Sequence, residues 1–204
     1  MVNKIKIGTF YTKNGLYEQI SKNYLQKSLD KFSISPLITE TSNYGNWTRN
    51  VAEKPKAILE QLGRLEEDEC LVFLDADCTV EKWPTLFEEI PADYDIAYHT
   101  LSWKQWYGYA TETLELLTGT MFFRNNDKVK KLCEHWYNES VKSRQWEQKV
   151  LQSIISSHNM TSYPLPLSYC YMNSRPGGID PLHFIPEPHI IHYQKSREYK
   201  RRIK

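Results

Sequence analysis

The run Cys70-Leu71-Val72-Phe73-Leu74-Asp75-Ala76-Asp77 decides the fold. Five largely apolar residues lead straight into two carboxylates. A short apolar run of strand formers reads as a strand buried on both faces, the kind found inside parallel sheets. Carboxylates at the end of such a strand are costly unless something satisfies them. Residues two apart on an extended chain point to one side, so Asp75 and Asp77 are expected to converge. Convergent hard-oxygen ligands suit Mg²⁺ or Mn²⁺, with the remaining coordination left to water and phosphate oxygens. Ligands of open α/β sheets also bind just beyond the carboxyl ends of the strands. The competing reading is a solvated acidic turn after a core strand.

On the N-terminal side, Lys4 to Thr12 alternates and then turns hydroxylated, which predicts a strand. After the Asn14-Gly15 turn signal, Leu16 to Leu29 carries apolar residues at helical spacing. Ser33 to Thr39 reads as a second strand interrupted by Pro36. Such a β-α-β start fits a parallel, nucleotide-binding half-sheet. Residues 42–50 read as a polar loop with aromatic inserts, and Ala52 to Leu62 as a helix with Pro55 near its first turn.

On the C-terminal side, a short helix is expected from Thr85 to Glu89 and a strand from Tyr94 to His99. Ser102 to Tyr109 is a dense aromatic loop, either an acceptor platform or a packed flap. Thr118 to Asn125 reads as a glycine-containing turn opening into a strand. Asn125-Asn126-Asp127 then caps a long helix from Lys128 to Lys142. A further helix spans Trp146 to Ile155, and Tyr163 to Met172 is extended and marked by prolines. Arg175 to Asp180 reads as a lid loop, and Pro186 to Lys195 as a strand on which His189 and His192 face opposite ways.

Composition bounds the rest. A chain of 204 residues is expected to form one domain with a sizeable core. Hydrophobic residues at 40% and charged residues at 25% place it among globular rather than disordered chains. The formal net charge of +1 excludes neither an anionic nor a neutral partner. The four cysteines show no CxxC spacing, and the two that flank the core strand, Cys70 and Cys78, read as reduced, small core residues. No apolar run reaches the ~18 residues of a membrane span, so no transmembrane segment and a cytoplasmic location are expected. The basic tail, residues 195–204, reads as a frayed, solvated end, or as a surface for nucleic-acid phosphates or an anionic membrane.

The order of these features resembles GT-A fold glycosyltransferases. Leu71 to Asp77 resembles their strand-then-DxD signature, Lys54-Pro55 their helix start ahead of that strand, and Thr118 to Asn125 the strand that follows the donor site. Glu147-Gln148 and the late pair His192 and Lys195 are similar in the same way. The resemblance implies an α/β fold: a single GT-A-like (Rossmann-like) domain over residues 1–194, with a mostly parallel central sheet flanked by helices. It implies that Asp75, Asp77 and His192 hold Mn²⁺ or Mg²⁺ on the diphosphate of a nucleotide sugar, a UDP-sugar above all. Tyr11 would stack on the uracil, with Thr9 and Thr12 bonding its edge. Lys54 would lie near the nucleotide or its phosphates, and Gly119 would admit the sugar close to the backbone. Glu147 would bind sugar hydroxyls or act as general base, with Gln148 beside it, and Lys195 would stabilise the departing UDP.

The resemblance implies hexosyl or pentosyl transfer, and the late histidine leans toward retention of the anomeric configuration. The acceptor it leaves open is a glycan, a protein, a lipid-linked precursor, a small molecule or a hydroxymethylated base in phage DNA. Two other classes compete. A sugar-nucleotide nucleotidyltransferase needs a glycine-rich basic loop after the first strand, and residues 8–15 are not glycine-rich enough. A non-catalytic sugar or nucleic-acid binding module would show no metal-dependent UDP release.

Overall fold

The computed structural model describes residues 2–173 and 187–195. The expected lid at 175–180 and the tail beyond Lys195 lie outside the described residues. In chain order the elements are β1 (Lys4–Thr12), α1 (Leu16–Ser21), a π-helical segment (Lys22–Gln26), α2 (Lys27–Asp30), β2 (Leu37–Thr41), α3 (Trp47–Val51), α4 (Lys54–Leu62) and β3 (Glu69–Leu74). There follow β4 (Cys78–Val80), α5 (Leu86–Glu89), β5 (Ile96–Ser102), α6 (Trp103–Tyr107), β6 (Leu114–Arg124), α7 (Asp127–Ser143), α8 (Glu147–Ile154), β7 (Ser162–Pro164), β8 (Tyr171–Met172) and β9 (Ile190–His192).

The central sheet has the order β2-β1-β3-β6-β5-β7. β1 pairs in parallel with β2 and β3, and β5 with β7, while β6 runs antiparallel to both its neighbours. The sheet is therefore mostly parallel, with one reversed strand. β3 is buried on both faces, as the apolar run requires. Cys70, Val72 and Leu74 enter one core with Leu25, Leu29 and Phe87. Leu71 and Phe73 enter the other with Ile58, Leu132 and Trp136. Helices α4, α7 and α8 cover this second face. A smaller sheet, β4-β9-β8, stands beside the first.

Several boundaries differ from the sequence expectation. The second strand starts at Leu37 rather than Ser33, because Pro36 has no N–H to give a ladder. The loop at 42–50 contains α3, capped where Asn46 accepts a hydrogen bond from the Arg49 amide. The aromatic loop contains α6, whose cap is Ser102, accepting from the Gln105 amide. The helix from Leu16 is continuous but passes through the π-helical segment.

Candidate active site

A cavity of about 270 Å³ opens at the carboxyl ends of β1 and β3. Two carboxylates anchor it. The chain does not stay extended after Leu74, as the simple alternation argument assumed. The Cys78 amide donates to the Asp75 carbonyl at 3.2 Å, closing a turn, and the Asp75 amide donates to the Gly119 carbonyl at 2.8 Å. This turn, rather than strand alternation, brings the two acids together.

His192 reaches them from far along the chain. β9 pairs antiparallel with β4 so that His192 stands opposite Cys78, next to Asp77. Ligand atoms of Asp75, Asp77 and His192 all lie within 4.8 Å of one another. His192 is buried, and one ring nitrogen, Nε2, lies 2.8 Å from Thr120 Oγ1. Burial and, secondarily, the nearby Lys54 charge push its pKa down to about 3, so the ring is neutral at physiological pH. Burial and the neighbouring Asp75 raise the pKa of Asp77 above the usual carboxylate range. The backbone amides of Tyr193 and Lys195 close over Asp77, donating to its carbonyl at 3.1 Å and to Oδ2 at 2.7 Å. Between them, Gln194 adopts a left-handed φ of 50°, which lets both amides turn inward.

Lys54 is buried rather than solvated at the start of α4. Its ammonium lies 2.8 Å from Asp75 Oδ1 and 2.8 Å from Glu147 Oε1, and donates at 3.2 Å to Thr118 Oγ1. Burial alone would lower its pKa, but the two carboxylates outweigh it and the net shift is upward. Thr118 also donates to Glu147 at 3.0 Å. Glu147 is therefore engaged by a cation and a hydroxyl.

Gln148 is held at both ends. Its Oε1 accepts from the Thr118 amide at 3.3 Å and its Nε2 donates to Glu115 at 2.7 Å. Gly119 answers a packing demand: an added Cβ would stand 2.8 Å from His192 Cε1 and 3.4 Å from Asp75 Oδ2. Its missing side chain is the space the imidazole uses.

Tyr11 and Thr12 line the cavity with Phe10 and Tyr17. Tyr11 is buried, and its hydroxyl donates to Glu40 at 3.2 Å. Thr9 is fully buried and is not part of the cavity wall among the described residues. Lys195 brings its backbone amide to the site, while its ammonium lies 5.6 Å from the Tyr24 ring centroid. His189 stacks on Tyr169 outside the cavity.

Trp47, Asn50, Glu115 and Gln194 also line the cavity, and sequence reasoning did not single them out. Asn50 and Trp47 arrive on α3, whose one legible signal was the Asn46 cap. Glu115 carried no local signal, because its partners Trp103 and Gln148 come from two different helices.

Three comparisons place this architecture. A family model described as nucleotide-diphospho-sugar transferase matches residues 64–203. A search of curated proteins finds no match. Among solved structures, a glycosyltransferase involved in glycosylation of the major capsid of PBCV-1 aligns at a TM-score of 0.68 with 11% identity, over 98% of this chain and 100% of that one. The bifunctional glycosyltransferase WbbM, in its apo form, aligns at 0.55 with 14% identity, over 94% of this chain and 46% of that one. An active-site mutant of LgtC aligns at 0.52 with 14% identity, over 93% of this chain and 87% of that one. The fold is that of the GT-A glycosyltransferases. The chain belongs to the nucleotide-diphospho-sugar transferase family, the family model covering more than half its length, including both acids and His192. No helix among the described residues is long and apolar enough to cross a membrane.

Proposed function

We propose that the protein is a metal-dependent glycosyltransferase that takes its sugar, a hexose or pentose, from a UDP-sugar. The observation that carries this reading is the close set of Asp75, Asp77 and His192 at the end of a buried strand. The donor chemistry fits a Mn²⁺ or Mg²⁺ ion: two hard carboxylates and one neutral imidazole. Nε2 lies 2.8 Å from Thr120 Oγ1; in the tautomer that donates to this hydroxyl, Nδ1 would carry the lone pair, the arrangement in which a second partner fixes the ligating nitrogen. A bound divalent ion would neutralise the diphosphate and favour its departure.

The chain's own groups do the rest. Tyr11 and Thr12 offer a ring and a hydroxyl to the base, and Thr9 supports the strand from within. Lys54 holds Asp75 and Glu147 in one frame, so that the diphosphate end and the sugar end keep a fixed separation. Glu147 and Gln148 face the sugar and orient its hydroxyls, with Gly119 leaving room beside them. Lys195 leaves the Tyr24 ring to meet the diphosphate as it gains charge. The engagement of Glu147 by Lys54 weighs against a general base and favours retention.

The test is thermal stabilisation by UDP, UDP-sugars and GDP-mannose with and without Mn²⁺, since selective binding to the folded state raises Tm. Stabilisation by the uridine nucleotides only with Mn²⁺ is the expected result. No shift with any nucleotide would overturn the reading in favour of a binding module.

A further inference from the structure

Building on the glycosyltransferase reading, we propose that Tyr24, carried by the π-helical segment, is a positioning residue for the donor site: its ring is the post that fixes Tyr193 and Lys195, and through them Asp77. The helix from Leu16 explains why this ring is available. Its buried stripe includes Ile20. Continued α-helical geometry would put the next member four residues on, at Tyr24. The next buried apolar members are instead Leu25 and Leu29, the first of them five residues on. The wider turn at Lys22–Gln26 supplies that extra residue. A side-chain contact marks it. Gln26 Nε2 donates to Ser21 Oγ at 3.0 Å, across five residues, whereas neighbours on an α-helix surface are three or four apart. The core thus takes Leu25, and Tyr24 is left half-buried at the edge of the stripe.

That edge faces the exit of β9. The Tyr24 and Tyr193 ring centroids lie 5.0 Å apart, with the planes tilted by 55°. The Lys195 ammonium stands over the same Tyr24 ring, 5.6 Å from its centroid. Tyr193 and Lys195 are the two residues whose backbone amides hold Asp77, at its carbonyl and at Oδ2. The same helix also fixes the small sheet at β4, where Ser28 Oγ accepts from the Val80 amide at 2.9 Å. β4 and the exit of β9, the strands that bring His192 to Asp77, are therefore referenced to one helix. Aromatic pairs prefer particular geometries, and a cation over a ring is drawn by its quadrupole, so both contacts specify position as well as area. Tyr24 is outside the cavity wall among the described residues. It acts through the two amides on Asp77, and by holding the Lys195 ammonium to one side of the diphosphate end.

The experiment compares Tyr24→Phe, which keeps the ring, with Tyr24→Leu, which keeps apolar bulk without it. Calorimetry gives the affinity for UDP with Mn²⁺, and amide NMR of the nucleotide-free, metal-free protein follows the Lys195 N–H. Tyr24→Phe is expected to match the native chain within about twofold. Tyr24→Leu should fold but bind UDP about tenfold more weakly, with the Lys195 amide resonance displaced from its Asp77-bonded position. Tyr24→Met, unbranched and adaptable, replaces the leucine variant should that one unfold. Equal loss of UDP affinity in the phenylalanine and leucine variants would assign the effect to the hydroxyl and overturn the ring as the post. Native UDP affinity and an unmoved Lys195 amide in the leucine variant would overturn it too, whatever happens to Tm, and leave the donor reading standing. Absence of UDP binding by the native chain would overturn the donor reading. The Lys195 amide, observed without nucleotide, would then still decide whether Tyr24 positions this segment.

Discussion

The two ends of the cavity are built in opposite ways. At the acidic end each polar side chain has a partner brought from another part of the chain. Asp75 meets Lys54 of α4, Asp77 meets amides beyond β9, and His192 meets Thr120 of β6. At the other end Tyr107 lines the cavity and leans on Trp103 and Tyr109, which lie outside its wall among the described residues, and Tyr109 is half in solvent. The difference follows from what each end must satisfy. A buried charge has to be matched atom by atom, so its partners come from wherever the fold brings them. Apolar surface asks only for area, so a local cluster suffices.

The contrast can be broken in four ways. The largest effect is expected from Asp77→Asn. On the proposed metal reading, losing one carboxylate of the acid–histidine set should lower transfer about a thousandfold, the scale of several kcal/mol of charge stabilisation. Steady-state kinetics checks this, and near-normal turnover would remove the metal from the account. Next comes Lys54→Met. It leaves Glu147 buried with only the Thr118 hydroxyl and without its cation, and should cost about 3 kcal/mol in chemical denaturation. Asp75, partly reached by water, adds less. A neutral result would mean that the two carboxylates do not need this cation.

Gly119→Ala is third. Its Cβ would press on the imidazole, and the strain of overpacking is about 1–3 kcal/mol. Mn²⁺ titration should show weakened binding in a protein that still folds. Intact metal affinity would show that His192 can shift at no cost.

The smallest and sharpest test is pH. The folded-state pKa of Asp77 is raised, so as pH falls it takes up a proton before an ordinary carboxylate does. Mn²⁺ affinity should therefore be full at about pH 8 and decline above the usual carboxylate range of ~4. The folded pKa of His192 is depressed to about 3 against an ordinary value of 6.5. Its unfolded form gains a proton that the folded form refuses. Its contribution to stability is lost as pH falls from about 6.5 toward about 3, and Asp77 opposes that loss. Calorimetric titration and denaturation across this range separate the two. A pH-independent Mn²⁺ affinity would contradict the burial of Asp77.

The same contrast explains how much could be read in the sequence. β1 and α7 were legible from their own periodicity, and β3 from its unbroken apolar run; β6 was read only from Thr118, and the expected turn at Thr118-Gly119 proves to lie inside a strand that begins at Leu114. The DxD pair was legible because its members are two residues apart, although the turn that aims them was not. β4 and β9 have three residues each, too few to show a pattern, and they exist because they pair with each other. α3 and α6 hid in aromatic segments, where the side-chain caps Asn46 and Ser102 were the available signals. His192 was found through a family resemblance. Nothing local to it announces that it will stand beside a carboxylate more than a hundred residues earlier. The link from Lys54 to Glu147 is of the same long-range kind, as is Glu115.

The β4–β9 pairing also bears on the order of folding. It sets residue 78 against residue 192, a separation that closes most of the chain into one loop. Contacts between residues so far apart form slowly, because closure entropy is spent before the contact stabilises anything. The large sheet, whose β1–β3 pairing is nearer in sequence, is therefore expected to assemble first, leaving its two acids at the rim without their histidine. Strands of three residues also have few ladder hydrogen bonds to lose when they open in the native state. Hydrogen exchange should find the β9 amides protected last during refolding and released first at equilibrium. Completion of the cavity would then trail the acquisition of native secondary structure, and a protein that reads as folded by circular dichroism would still be waiting for His192 to join the two acids.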